Sequence, residues 1–200
     1  MDATISLRER KKAATRRRLM TTALRLFEER GYDETTVEEI AAAADVAPRT
    51  FFRYFPTKVD VLFGDHQELV AMIRAALAAR PEDEPVPRTV RRAMLEGVGQ
   101  VRDDPQLFLT RMRLTASIPA AHARNRLLDL DYENAIAEAI AESRGTDPAV
   151  DLYARLAGKL LWSANLAASE VWLAANGAHD PRQLLDEAFA LIQPCLASEE

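Results

Sequence analysis

The sequence predicts an all-α fold, and three observations lead there. Apolar residues recur at three- and four-residue spacing almost throughout the 200 residues, strand-type alternation is absent, and proline or glycine stands at most of the breaks. A 48% hydrophobic share with 28% charged residues belongs to a globular chain that can form one long domain or two short ones.

About nine helices follow in order. The first runs from about Glu9 to Arg30, with Met20, Ala23, Leu24 and Phe27 on one face and Gly31 as its stop. Thr35 or Thr36 caps a short second helix, Val37 to Ala44, whose first turn carries Glu38 and Glu39 where the macrodipole favours negative charge. Asp45-Val46-Ala47 turns the chain into a third helix, opened by Pro48 and closed after Tyr54 by Pro56. Thr57 is expected to cap a fourth helix running from near Lys58 to about Ala79. The proline-rich and acidic stretch 81–87 breaks the chain. Helices are then expected near Arg88 to Val101, Pro105 to Ala116, Pro119 to Ser143, Pro148 to Asn176 and Pro181 to Leu196.

Charge is spread unevenly. Residues 1–18 carry seven basic side chains, Arg16, Arg17 and Arg18 among them, against Asp2 and Glu9, a local balance of +5 in a chain of net charge -5. An acidic body with a basic N-terminal segment permits nucleic-acid binding, because phosphates sense the local field within about one Debye length, roughly 8 to 10 Å. A solvated arm without a partner has the same charge. Met1 to Arg18 lacks the apolar run of a secretory signal. The stretch Leu156 to Ala174 contains Lys159, Asn165 and Glu170, so it reads as a buried helix rather than a membrane span. The lone Cys195 cannot pair within the chain, which predicts folding in a reducing cytoplasm. His66, His122 and His179 match no metal-ligand spacing; neither metal nor cofactor is expected.

Residues 35–58 have the mechanics of a helix-turn-helix. Val37, Ile40, Ala41 and Ala44 form a narrow apolar face, small alanines allow close approach, Val46 plugs the turn, and Phe51 and Phe55 bury the inner face of the next helix. That leaves Pro48, Arg49, Thr50, Arg53 and Tyr54 at its N-terminus and outer side, where a recognition helix meets base edges and phosphates of double-stranded DNA. Phe52 is open to two roles, core packing or cover for a thymine methyl or a phosphate. Tyr32 reads as a packing residue.

The Phe27-x-x-x-Gly31-Tyr32 step into Thr35-Thr36-Val37, the Ile40-Ala41 pair, the Val46 turn and the run Tyr54-Phe55-Pro56-Thr57-Lys58 resemble the DNA-binding domain of the TetR family of bacterial transcriptional regulators. The resemblance covers about residues 12–63. It implies a three-helix helix-turn-helix domain, 1–57, joined to a helical effector-binding and dimerisation domain, 58–200. It implies that Thr36, Tyr54 and Lys58 grip phosphates and that Arg49, Thr50 and Arg53 contact bases or nearby phosphates of a palindromic operator. Arg16, Arg17 and Arg18 stand before the packed part of the first helix, a position that suits minor-groove or backbone contact and equally a solvated face. Many relatives have a basic residue and a glycine where this chain has Pro48-Arg49, which removes the usual basic contact at 48. The stretch from Pro48 to Phe63 is similar to a branch whose C-terminal domain is described as binding acyl-CoA-like ligands.

The long helix after Pro148 is apolar nearly all round, and the last helix repeats apolar residues at three- and four-residue steps. Two such helices per chain predict a four-helix bundle with a second copy, through Leu166, Leu173, Leu185, Phe189 and Ile192. An effector pocket for a small hydrophobic or acyl-CoA-like molecule is expected among Arg92, Arg111, Arg113, Trp162 and Asn165. A helical enzyme or an adaptor without DNA binding is the competing class. Against the enzyme, Gly158-Lys159 lacks the leading glycine of a phosphate loop, since position 153 is Tyr, and no Gly-x-Ser-x-Gly elbow is present.

Overall fold

The structure, a computed structural model, describes residues 6–63, 66–97 and 104–196. Among them are nine α-helices, one 3₁₀ turn and no strand. The elements are α1 Leu7–Arg30, α2 Val37–Ala43, α3 Pro48–Tyr54, the turn Val59–Phe63, α4 His66–Ala78, α5 Val86–Gly97, α6 Pro105–Ser117, α7 Pro119–Arg144, α8 Leu152–Ala174 and α9 Pro181–Leu196. The chain divides into two compact units, one drawn from Met1–Asp65 and Gln106–Ala123, the other from His66–Pro105 and Arg124–Glu200.

The first unit closes over Leu19, Leu24, Phe27, Ile40, Phe51, Phe55, Val61 and Leu62, joined by Ile118 and Ala121. Burying each large side chain contributes about 1.5 to 3 kcal/mol relative to leaving it in water. Buried residues on α1 begin at Leu19; Leu7, Arg8, Arg10, Lys11 and Lys12 are exposed along its earlier turns. Gly31, at φ 91, ends the helix with its N–H on the Phe27 carbonyl at 2.9 Å, a left-handed backbone that glycine adopts without strain. On α6, Leu109 is buried and the Thr110 hydroxyl donates to Glu28 Oε1 at 3.0 Å, tying this later segment to α1.

The second unit packs Ile73, Val90, Ile136, Leu161, Trp162, Leu185 and Phe189 into one core. At Gly158 a Cβ would meet the Glu133 carbonyl at 2.7 Å, so only glycine lets α8 approach α7 this closely.

Several expected boundaries differ from the structure. The segment from Lys58 does not start the fourth helix: Thr57 N–H and hydroxyl both donate to Asp60 Oδ2, at 2.9 and 2.7 Å, closing a tight 3₁₀ turn, and α4 begins only at His66. The fifth helix starts two residues earlier than expected, at Val86, and the expected end at Val101 lies outside the described residues. The long helix starts at Leu152 and not Pro148, because Asp151 is its N-cap and accepts the Ala154 N–H at 3.0 Å.

Candidate nucleic-acid interface

The turn between α2 and α3 is set by its ends. Thr36 and Glu39 form a capping box: the Thr36 N–H donates to Glu39 Oε2 at 2.8 Å, and the Thr36 hydroxyl accepts the Glu39 N–H at 3.2 Å. That bonding, with Arg30 at 3.2 Å adding its charge, holds the Glu39 carboxyl below its ordinary range. After α2, Asp45 takes a left-handed φ of 52 and Val46 N–H returns to the Ala41 carbonyl at 2.9 Å, reversing the chain within three residues. Pro48 then opens α3 at a position where the missing N–H costs nothing.

On α3 the inner and outer faces separate cleanly. Phe51 is fully buried and Phe55 nearly so, their rings 5.4 Å apart, while Pro48, Arg49, Phe52 and Arg53 are exposed and Thr50 and Tyr54 half-buried. The Arg53 guanidinium lies 5.1 Å from the centre of the Tyr54 ring. Arg49 has no carboxylate partner among the described residues, and neither has Arg17. Arg16 is half-buried and Arg17 exposed on α1. Lys58 is engaged within the chain: its Nζ donates to the carbonyls of Tyr32 and Thr35, at 2.7 and 2.9 Å, and sits 4.2 Å from the centre of the Tyr32 ring. Burial, with Asp33 and Asp60 nearby, pushes the Tyr32 phenol up. Phe52, left open by the sequence, is 51% exposed and therefore not a core residue.

The residues expected around an effector fall in both units. Arg111 and Arg113 belong to the first unit, Arg111 with its guanidinium 4.8 Å from the centre of the Phe108 ring. Arg92, Trp162 and Asn165 belong to the second, where Arg92 is exposed and 3.1 Å from Glu84, Asn165 is half-buried and Trp162 is buried. Trp162 stacks on Tyr132, ring centres 4.0 Å apart, and its indole N–H donates to Asp129 Oδ1 at 3.0 Å. Burial pushes the Asp129 carboxyl above its ordinary range, against the pull of that hydrogen bond. Tyr132 also meets His66, hydroxyl to Nδ1 at 3.1 Å, and His66 Nε2 donates to Asp131 Oδ2 at 2.8 Å. Sequence reasoning passed over Asp129 and His66. The one available signal was a carboxylate between Leu128 and Tyr132 on a helix face that runs on through Ala135 and Ile136.

Of the residues expected to meet a second copy, Leu166, Leu173 and Ile192 are half-buried, but Leu185 and Phe189 face the core of their own unit. Those two have almost no surface left to offer a partner. The large apolar side chains exposed on α8 and α9 are Leu152, Leu156, Val171 and Leu191. Among the described residues no helix is long and apolar enough to cross a membrane, and no group of three His, Cys, Asp or Glu side chains is placed to hold a metal.

Comparison with known proteins matches residues 19–63 to the family model "Bacterial regulatory proteins, tetR family" and residues 84–197 to "MftR C-terminal domain". The HTH-type transcriptional regulator TcmR of Streptomyces glaucescens is 34% identical over 172 residues, 83% of this chain and 76% of that protein. Among solved structures, FadR of Thermus thermophilus in complex with lauroyl-CoA is 25% identical at a TM-score of 0.60, with 92% of this chain and 96% of that one covered. SmeT of Stenotrophomonas maltophilia, in complex with triclosan, shares the fold at 19% identity and a TM-score of 0.64, with 89% and 91% covered.

Proposed function

The chain belongs to the TetR family of bacterial transcriptional regulators, DNA-binding proteins and not enzymes, and on that premise we propose a homodimeric repressor released from a palindromic operator by a small hydrophobic or acyl-CoA-like effector. The observation that carries the DNA half of the reading is the two-faced α3, which anchors Phe51 and Phe55 in the core and turns Arg49 and Arg53 outward. An arginine in the major groove pairs bidentately with guanine, typically worth about 1 to 3 kcal/mol of discrimination. Arg49 is therefore assigned to base reading, with Pro48, Thr50 and Arg53 beside it. Thr36, Tyr54 and Lys58 are assigned to phosphates, and Arg16 and Arg17 to the minor groove or backbone. Lys58 spends two of its three N–H bonds on carbonyls, which fixes its ammonium and leaves one N–H for a phosphate oxygen. Lys58→Ala should weaken binding to every sequence alike and flatten the salt slope by roughly 0.9; an unchanged slope would confine Lys58 to holding the turn.

We further propose that residues 1–57 carry DNA contact and residues 58–200 effector binding and dimerisation. Dimerisation falls to α8 and α9, where Leu166, Leu173 and Ile192 keep surface and Leu152, Leu156, Val171 and Leu191 are exposed. Leu191→Glu should yield monomers in sedimentation. Support for the acyl-CoA-like effector comes from the lauroyl-CoA bound by the Thermus thermophilus relative. In the second unit Arg92 would give up Glu84 to meet an anionic headgroup, with Trp162 and Asn165 as candidates for the pocket lining. A saturating acyl-CoA, at about 100 times its Kd, should stabilise the fold by roughly 2.7 kcal/mol and release operator DNA. If acyl-CoAs do neither while an uncharged hydrophobic compound does both, the effector is drug-like and the acyl-CoA reading fails.

A further inference from the structure

Position 52 holds a large apolar ring on the outside of the helix assigned to DNA. Arg49, Phe52 and Arg53 stand three and four residues apart and so share one helical face. Among the described residues of the first unit, Phe52 and Leu7 are the large hydrophobic side chains left exposed, and Leu7 lies at the far end of α1. The Phe52 ring is backed by Phe51, edge to face with centres 5.6 Å apart, and Phe51 is immobilised in the core. That contact restricts the ring before any partner arrives, which lowers the rotamer entropy lost on binding.

A phenyl ring accepts and donates no ordinary hydrogen bond, so Phe52 cannot grip a phosphate oxygen as a tyrosine would. What it can gain from a duplex is apolar contact. In the major groove the apolar group on a base edge is the 5-methyl of thymine, and phosphates line the walls on either side. A face with an apolar ring between two cations complements that arrangement. Resting on the assignment of α3 as the DNA-reading helix, we propose that Phe52 is a specificity-determining residue that selects thymine at one position of each half-site by covering its 5-methyl group.

The test uses the full chain and a duplex that it selects from a randomised pool. Replacing each thymine in turn with deoxyuridine removes one methyl and no hydrogen-bonding group. At one position per half-site the wild-type protein should lose about fourfold in affinity, the size expected for one buried carbon. In Phe52→Ala that replacement should have no further effect, while Phe52→Tyr, which keeps the ring, should retain the sensitivity. The salt slope of Phe52→Ala should equal that of the wild type, since the ring meets no phosphate. Thermal unfolding of Phe52→Ala should stay close to wild type because the side chain is half exposed. The proposal is overturned if no deoxyuridine replacement matters, or if Phe52→Ala remains as sensitive as the wild type. Failure to select any duplex would overturn the assignment of α3 itself, a separate and recognisable outcome.

Discussion

Both units pair some of their cations, Arg25 with Glu29 and Arg30 with Glu39 in the first, but they differ in what is left over. In the second, arginine and lysine find acids inside the unit: Arg74 with Glu138 at 2.6 Å, Arg91 with Asp186 at 2.7 Å, Arg92 with Glu84 at 3.1 Å and Lys159 with Glu133 at 2.6 Å. In the first, Arg17, Arg18 and Arg49 have no carboxylate partner among the described residues, although the chain as a whole is acidic. Cations on α1 and α3 that no carboxylate neutralises raise the positive potential where a polyanion would meet them. A net charge of -5 hides this division.

The largest expected effect breaks the first unit outright. Phe51→Ala removes a fully buried ring that anchors α3, and should cost about 3 to 5 kcal/mol in denaturant unfolding and abolish operator binding. In the second unit, Trp162→Phe keeps the stack on Tyr132 but takes the indole N–H from buried Asp129, a loss of about 1 to 3 kcal/mol. Arg49→Ala sharpens the contrast between the units. It should relax preference at one base pair per half-site by about 1 to 3 kcal/mol with less than about 0.5 kcal/mol change in stability. Arg91→Ala, which breaks a surface pair, should do the reverse: about 0.2 to 1 kcal/mol of stability and no change in base preference. Equal loss of affinity for every sequence in Arg49→Ala would remove its base-reading role. Thr36→Ala should cost about 1 kcal/mol through loss of the α2 cap.

The smallest effect is a pH dependence whose sign differs among carboxylates. Asp151, held at about 2 by the Thr146 hydroxyl first and then by the Ala154 N–H, has a folded value below its unfolded 3.8. Its contribution is therefore present above pH 3.8 and lost as pH falls toward 2. Glu39, held down from 4.5 by Thr36, behaves alike. Asp129 is raised by burial and runs the other way: its contribution is present below 3.8 and lost as pH rises through its folded value. Melting curves of Asp151→Asn and wild type should therefore converge as pH is lowered from 4 toward 2.

The helix-turn-helix was legible because its signals are local. Pro48, Gly31 and the Thr36/Glu39 spacing each act within one turn of the chain, and Phe51 and Phe55 four apart mark one face. Legibility failed where a long-range bond decides. Lys58 was expected to grip a phosphate, but nothing local announced that it also holds carbonyls 26 and 23 residues away, and Asp60 turned the expected start of the fourth helix into a 3₁₀ turn. Leu185 and Phe189 showed the periodicity of an apolar stripe but not which side of it faces inward; their helix has apolar neighbours on both. Asp129 and His66 were invisible for the same reason, since their partners lie on other helices or depend on how the rings stack.

We propose that the first unit's exposed cations and α3 read DNA as a symmetric pair. This is tested most directly by measuring the affinity of the full chain for its selected duplex and for a scrambled one across a salt series. The selected sequence should be two-fold symmetric and bound at least about 10³-fold more tightly than the scrambled duplex, with both affinities falling steeply and linearly in log salt. Equal affinity for the two duplexes, or binding indifferent to salt, would contradict it.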